Sequence, residues 1–263
     1  MRKAQELVDW FRDKDAVLVA FSGGVDSAVV ARAALEALGA RAIAATASSA
    51  TLPSWELESA KKVAREIGIL HEIFFEDEFA NPKFAENSPE RCYHCRKGLI
   101  GGLRRVAKSY GIRCIVDGAN ADDAKQHRPG MRAMRENGVR SPLLELGIGK
   151  KEVREIARYF NLSVSEKPAM ACLASRIPYG EKITREKLRR VEKAEEFMRS
   201  LGFKQLRVRH HGSIARIEVA RDDLSKVLEH REEIVRKLKE IGFTYVTIDL
   251  EGYRSGSMDE VLL

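Results

Sequence analysis

The sequence predicts an α/β protein: a doubly wound parallel sheet with helices on both faces, followed by a smaller α+β domain. Three observations predict it. Short β-rich apolar runs alternate with segments of helical period up to about residue 166, the pattern of a parallel sheet connected by crossover helices. The most apolar of these runs passes directly into a glycine pair. After Lys182 the order changes to helix, two alternating strands, helix and strand, which a doubly wound parallel sheet does not produce.

Taken in order, the strands of the first domain are expected at residues 16–21, 42–46, 71–75 and 114–117. The crossover helices are expected at 27–38, 53–67 and 93–110, where apolar residues recur at three- and four-residue spacing. In the second domain the expectation is a helix at 184–201, strands at 205–210 and 214–220, a helix at 224–240 and a strand at 244–250. The boundary falls in 171–180, which holds Pro178 and Gly180 but little periodicity, giving domains at 1–180 and 181–263. Junctions of this kind commonly carry sites. From Gly252 the chain reads as a loose tail.

A chain of 263 residues, 44% hydrophobic and 32% charged, has the material for a substantial core. No stretch approaches the roughly 20 apolar residues that span a bilayer. The opening MRKAQELVDWFRD alternates charged and apolar residues instead of presenting a signal-peptide core. A cytoplasmic protein with no membrane partner is therefore expected. The formal charge of +7 and a pI near 9.2 favour anionic partners, and nucleotides, phosphorylated metabolites and RNA all qualify. Four cysteines without a secretion signal argue against a disulfide framework and for metal or redox chemistry.

The run Ala16-Val17-Leu18-Val19-Ala20-Phe21 leads into Ser22-Gly23-Gly24-Val25-Asp26-Ser27 and then into a helix. In such a strand, loop and helix, Gly23 and Gly24 let the backbone approach a ligand, and Ser22, Ser27 and the N–H groups at the helix start can bond phosphate oxygens. Asp26 beside a triphosphate is repulsive unless a divalent cation lies between them, so the loop predicts ATP carrying Mg²⁺. No lysine follows the glycines, so the GxxxxGK[ST] pattern is absent, as is GxGxxG. The loop resembles that of the PP-loop ATP pyrophosphatases, in which attack falls on the α-phosphate and pyrophosphate leaves. Polar residues at the ends of later strands add Thr46, with Ser48 and Ser49, and Gly118 and Asp122 in Asp117-Gly118-Ala119-Asn120-Ala121-Asp122-Asp123. Open α/β sheets bind ligands at such ends, although the same residues are ordinary turn formers.

Cys92 and Cys95 form a CxxC pair whose helical spacing puts them on one face. A redox pair, half a zinc site completed by His94 or His127, and part of an iron–sulfur site are all open readings. Cys172 lies in the inter-domain segment, and Cys114, in Cys114-Ile115-Val116, reads as core.

The loop, residues 117–123, Arg140-Ser141-Pro142-Leu143 and above all Lys167-Pro168-Ala169-Met170-Ala171-Cys172-Leu173-Ala174-Ser175-Arg176-Ile177-Pro178-Tyr179-Gly180 together resemble the LarE family of ATP-dependent sulfur transferases. Leu206-Arg207-Val208-Arg209-His210-His211-Gly212 and Ala215-Arg216-Ile217-Glu218-Val219 extend the resemblance over nearly the whole chain. It implies adenylation of a carboxylate of a pyridinium dicarboxylate mononucleotide, then sulfur delivery to give a thiocarboxylate for the nickel-pincer nucleotide cofactor. In some members the sulfur comes from a cysteine at the position of Cys172, left as dehydroalanine. Members with an added CxxC resemble cluster enzymes, so Cys92, Cys95 and Cys172 are implied as ligands of a [4Fe–4S] cluster that carries the transferred sulfur.

Strand period puts Arg207 and Arg209 on one face of residues 205–210, and Arg216 and Glu218 share the polar side of the next strand. Cross-strand ion pairs on a solvated face would account for this pattern. The resemblance implies instead that the arginines hold a substrate phosphate, a task suited to bidentate guanidinium groups. It also implies substrate contacts from Ser175, Arg176 and Glu218 and a catalytic role for Glu195. The expected partners are ATP and a phosphorylated small molecule, within a homo-oligomer. A tRNA-thiolating enzyme is the alternative, disfavoured by the 7% aromatic content and by the lack of an evident RNA-binding module. A non-catalytic nucleotide- or metal-binding protein is the third reading.

Overall fold

The computed structural model describes residues 1–125, 129–168, 171–254, 256–258 and 260. His127, a zinc candidate, and Ala169 and Met170 of the long signature segment lie outside the described residues. The chain forms two compact units, Met1–Phe84 with Glu90–Met170, and Ala85–Pro89 with Ala171–Leu263.

The first unit runs α1 (Arg2–Phe11), β1 (Val17–Ala20), α2 (Val25–Leu38), β2 (Ala42–Ser48), α3 (Ser54–Ile67), β3 (Leu70–Phe75), the single turn α4 (Pro82–Ala85), α5 (Arg91–Ser109), β4 (Cys114–Val116), α6 (Pro129–Glu136), the turn α7 (Pro142–Glu145) and α8 (Lys150–Tyr159). Its four strands are parallel, in the order β3-β2-β1-β4. Val17, Leu18 and Val19 of the central β1 are fully buried, as a strand covered on both faces must be. Val17 and Val19 pack with α1, α2 and α8 through Leu7, Val29 and Ile156. Leu18 belongs to the opposite layer, with Ile100 and Leu103 of α5 and Met134 of α6. The period of two in β1 thus feeds two cores.

The order of the sheet decides where a ligand sits. The chain steps outward from β1 to β2 and β3, then returns to place β4 on the other side of β1. The loops leaving β1 and β4 diverge there, and a crevice opens outside the carboxyl ends of the strands. SGGVDS follows β1 and residues 117–123 follow β4, so two of the predicted polar loops fall at this switch point. A parallel bridge between Val116 and Arg140 continues the pairing beyond β4.

The second unit contains α9 (Arg185–Ser200), β5 (Leu206–His211), β6 (Ile214–Val219), α10 (Leu224–Glu229), α11 (Arg231–Ile241) and β7 (Tyr245–Ile248). β6 pairs antiparallel with β5 and parallel with β7. Leu206, Val208, Ile217 and Val219 join Met198 of α9 and Ile234 and Leu238 of α11 in one core. The single helix expected at 224–240 is two helices, with His230 ending one and beginning the next. Val227, Ile234 and Leu238 are buried at spacings of seven and four, so the apolar period runs through the break and does not reveal it.

Candidate functional site

The phosphate loop is braced from within. Gly23 has a φ of +68°, and a Cβ there would stand 2.6 Å from the Cα of Ala60 on α3, so both conformation and space require glycine. Ser27 Oγ donates to Gly24 O (3.1 Å) and accepts from Ser22 N (3.2 Å), while Ser22 Oγ accepts from Gly24 N (3.3 Å). Gly24 caps α2, with Val25 opening the first turn. First-turn N–H groups lack a carbonyl four residues back, and with the helix dipole they form a ready anion site.

Asp26 sits in that first turn. Its Oδ1 accepts from Asn120 Nδ2 (3.1 Å) and its Oδ2 from Lys150 Nζ (2.5 Å). A Cβ on Gly118 would lie 2.8 Å from Ser27 N, so the loop after β4 runs against the start of α2. Asp122 accepts from the backbone N–H of Lys150 (2.8 Å) and fixes the start of α8. Thr46 is buried beneath the loop, donating to Phe21 O (2.6 Å). Its single proton is then used, so His71 Nε2, 2.7 Å away, is the donor to Thr46 Oγ1. Burial holds the His71 imidazole below its ordinary pKa, which suits this neutral tautomer. Burial also raises the Asp117 carboxyl, against the opposing bonds from Ser141 Oγ and Ala119 N.

Ser22, Gly23, Gly24, Val25, Asp26, Ser27, Gly118 and Asp122 are therefore gathered at one place, with Thr46 supporting them from below. Two residues were not anticipated as members of this site. Lys150 reaches Asp26, and Lys167 Nζ reaches Gly23 O (3.3 Å), Glu56 Oε2 (2.8 Å) and Ser59 Oγ (2.8 Å). Only the fold brings them there, since 124 and 144 residues separate them from their loop partners.

Cys92 and Cys95 lie in the first turns of α5, both half-buried. Cys114, at the start of β4, packs against the core, and burial pushes its thiol pKa up.

In the second unit Cys172 is exposed, immediately before a 3₁₀ turn at Leu173–Arg176. Arg176 is wholly buried and forks onto Glu195, Nε to Oε1 at 2.8 Å and Nη2 to Oε2 at 2.9 Å. Its Nη1 donates to the carbonyl oxygens of Ala171 (2.6 Å) and Cys172 (2.9 Å). Ser175 Oγ donates to the same Cys172 oxygen (2.9 Å), and Glu195 Oε1 also accepts from Val208 N (3.1 Å). Burial alone would depress the Arg176 guanidinium, but the Glu195 carboxylate holds it above the usual arginine range. Glu195 thus has both oxygens taken and anchors Arg176, which in turn fixes the backbone on either side of the exposed thiol.

The polar face of β5 and β6 is present as expected, but Arg207, Arg209 and Glu218 are buried and only Arg216 of the four is partly exposed. Arg209 forks onto Glu218 (2.9 and 2.7 Å) and donates to Ser257 Oγ (3.0 Å) and Ser175 O (3.1 Å). Arg216 also reaches Glu218 (3.0 Å). Arg207 donates to Leu206 O (2.7 Å) and stacks on Tyr253, 5.1 Å from the ring centroid. Burial, followed by the nearby Arg176 charge, lowers Arg207 to about 10.

Among the described residues no group of three or more His, Cys, Asp or Glu side chains stands together to hold a metal ion. No helix among them is long and apolar enough to cross a membrane.

A lysine-free Ser-Gly-Gly-Val-Asp-Ser loop between a central parallel strand and its helix, at the switch point of the sheet, defines a PP-loop ATP-using enzyme. Residues 11–101 match the asparagine synthase family model. The chain is 36% identical to the pyridinium-3,5-bisthiocarboxylic acid mononucleotide synthase of Lactiplantibacillus plantarum, over 99% of this chain and 95% of that protein. It is 45% identical to the uncharacterized protein slr1717 of Synechocystis sp., over 99% and 98% of the two chains. A tRNA-specific 2-thiouridylase of Zymomonas mobilis is more distant, at 29% identity over 61% of this chain and 53% of its own. The chain belongs to the LarE family of ATP-dependent sulfur transferases.

Proposed function

We propose that the protein adenylates a carboxylate of pyridinium-3,5-biscarboxylic acid mononucleotide and replaces the activated oxygen with sulfur, for nickel-pincer nucleotide cofactor synthesis. The observation that carries this reading is the phosphate loop at the switch point, in a chain matched end to end by a synthase of the bisthiocarboxylic acid mononucleotide. A substrate carboxylate oxygen attacks the α-phosphorus of ATP, the bond to the β-phosphoryl group breaks, and pyrophosphate leaves. A sulfur nucleophile then attacks the acyl carbon and AMP departs. Asp26, held by Asn120 and Lys150 at the start of α2, has the hard oxygen donors that suit Mg²⁺, which would neutralise charge on the phosphates. The reading places the protein in the cytoplasm, where ATP is available and thiols stay reduced, as a homo-oligomer.

The exposed Cys172 is the sulfur-delivering position in this reading. Its finer form has Cys92, Cys95 and Cys172 holding a [4Fe–4S] cluster, supported by three thiols outside the apolar cores, two of them on one helical face. Among the described residues these side chains do not form a three-ligand group. Anaerobic reconstitution tests it: about four irons per chain and cluster absorption, lost on changing any of the three cysteines, against a colourless protein that transfers sulfur once and loses the mass of one hydrogen sulfide from Cys172 in that single turnover. Arg207 and Arg209 are the substrate-phosphate ligands in this reading, Arg209 held by Glu218 and Arg207 stacked on Tyr253. Pyrophosphate release with the mononucleotide, with tRNA and with no substrate tests the whole assignment. Only the first should respond, and Asp26→Asn should lower that rate on the order of a hundredfold or more with the fold retained. Release that needs tRNA would overturn the assignment.

A further inference from the structure

We infer that Lys150 and Lys167 are the pyrophosphate-binding cations of the reaction, supplying from two distant segments the charge that the loop lacks. The inference rests on the reading of SGGVDS as an ATP site. Displacement of pyrophosphate leaves additional negative charge on the β- and γ-phosphoryl groups, and a site that binds this charge better as it develops lowers the barrier. The loop itself contributes backbone N–H groups and hydroxyls but no cation, and its one charged side chain, Asp26, has the wrong sign. Glu56, on α3, adds a second carboxylate next to the loop through Lys167. Two ammonium groups stand against these two carboxylates.

Lys150 occupies the first turn of α8, where the carboxylate of Asp122 holds its backbone N–H. Its ammonium lies 2.5 Å from Asp26 Oδ2. Among the described residues Asp26 is its sole side-chain partner, so two of its three N–H bonds remain for a ligand. The side chain is 34% exposed, enough for a phosphate oxygen to reach it. Lys167 is 18% exposed and has all three N–H directions occupied. Its bonds to Glu56 and Ser59 are 2.8 Å, whereas that to Gly23 O is 3.3 Å. The long bond, which touches the phosphate loop itself, is the one an incoming phosphate oxygen displaces. Each lysine is therefore held by a carboxylate beside the loop, Lys150 with two N–H groups left for a ligand and Lys167 with one weak bond, to Gly23 O.

A merely structural role for these lysines, one as the counter-ion of Asp26 and the other as a latch on the loop, predicts different binding behaviour. Latches affect every nucleotide alike. Cations for the β- and γ-phosphoryl groups affect ATP and inorganic pyrophosphate and leave AMP alone. Calorimetric titration of the full chain with ATP, AMP and pyrophosphate separates the two for the wild type, Lys150→Met and Lys167→Met. The expected result is a rise of about tenfold to a hundredfold in Kd for ATP and pyrophosphate in each variant, the effect of a lost charged hydrogen bond. AMP should change by less than about twofold, and Lys→Arg variants should recover part of the loss. If Lys167→Met fails to fold because Glu56 is left buried without its partner, Lys167→Met combined with Glu56→Gln serves instead. ATP and AMP affinities falling together, or an unchanged ATP affinity, would overturn the inference. A wild-type chain that binds AMP and ATP equally overturns it as well, whereas one that binds none of the three ligands overturns the ATP-site reading first.

Discussion

Arg176 and Glu195 form a buried charge pair whose value lies in position more than in stability. Taking two such ions out of water costs several kcal/mol each, and their mutual attraction with good hydrogen bonds roughly offsets that. What the pair adds is geometric. The third nitrogen of the guanidinium grips the carbonyls of Ala171 and Cys172, so a charge with no exposed surface fixes the backbone of the exposed thiol. Arg176→Ala or Glu195→Ala leaves the partner charge uncompensated and should lower unfolding free energy by about 3–5 kcal/mol. The combined Arg176→Met and Glu195→Leu variant should be more stable than either single one, because the penalties share one cause and do not add. In that folded double variant, sulfur transfer should still be impaired and the alkylation rate of Cys172 altered. Wild-type transfer and alkylation in the double variant would show that the pair does not position Cys172.

The strand–loop–helix junction around Gly23 makes a demand at the scale of elements. α3 approaches the loop through Ala60, and a Cβ on Gly23 would meet the Ala60 Cα at 2.6 Å with φ at +68°. Gly23→Ala should therefore destabilise the chain by roughly 1–3 kcal/mol and weaken ATP binding. Ala60→Gly should not rescue it, because the closest obstructing atom is backbone. A shifted urea midpoint in both the single and the double variant checks this, and recovery in the double would contradict it. The junction was legible in the sequence because its signals are local: an apolar strand, a glycine pair and a helical period follow one another within a few residues. The strands near residues 16–21, 42–46, 71–75 and 114–117 were legible for the same reason. α1 is amphipathic, with Ala4, Leu7, Val8 and Phe11 buried, yet its charged surface residues read as plain alternation. Lys150 carried no sequence signal and Lys167 stood in the signature segment without a role, because only the fold brings them to the loop. The alternation of Arg207 and Arg209 with Leu206 and Val208 was legible. That their face is buried was not, because a strand's period gives its faces but not what covers them.

Over the whole molecule, one buried and two half-buried imidazoles set how stability responds to acid. His71, His210 and His211 are each held below the ordinary histidine pKa, chiefly by burial. His210 lies against the Phe243 ring at 5.4 Å, with Glu181 3.7 Å from Nδ1. Glu181 favours its charged form, while Lys187 and Arg190 oppose it. A depressed folded pKa means that the unfolded chain takes up protons the folded chain refuses. Stability from these groups is therefore complete above the unfolded value of about 6.5 and is lost as pH falls from there through the folded pKa values. Asp117 and Glu76 act with the opposite sign. Burial raises both carboxyls, so their contribution is complete below the unfolded carboxylate range and is lost as pH rises through their folded pKa values. On descending from pH 7.5 to about 5.5, the histidine contribution should dominate and the urea midpoint should fall. His210→Phe, which removes one of the three proton acceptors and keeps a ring beside Phe243, should lose less stability over that interval than the wild type. Parallel pH profiles for the two proteins would mean that His210 is not a source of the acid sensitivity.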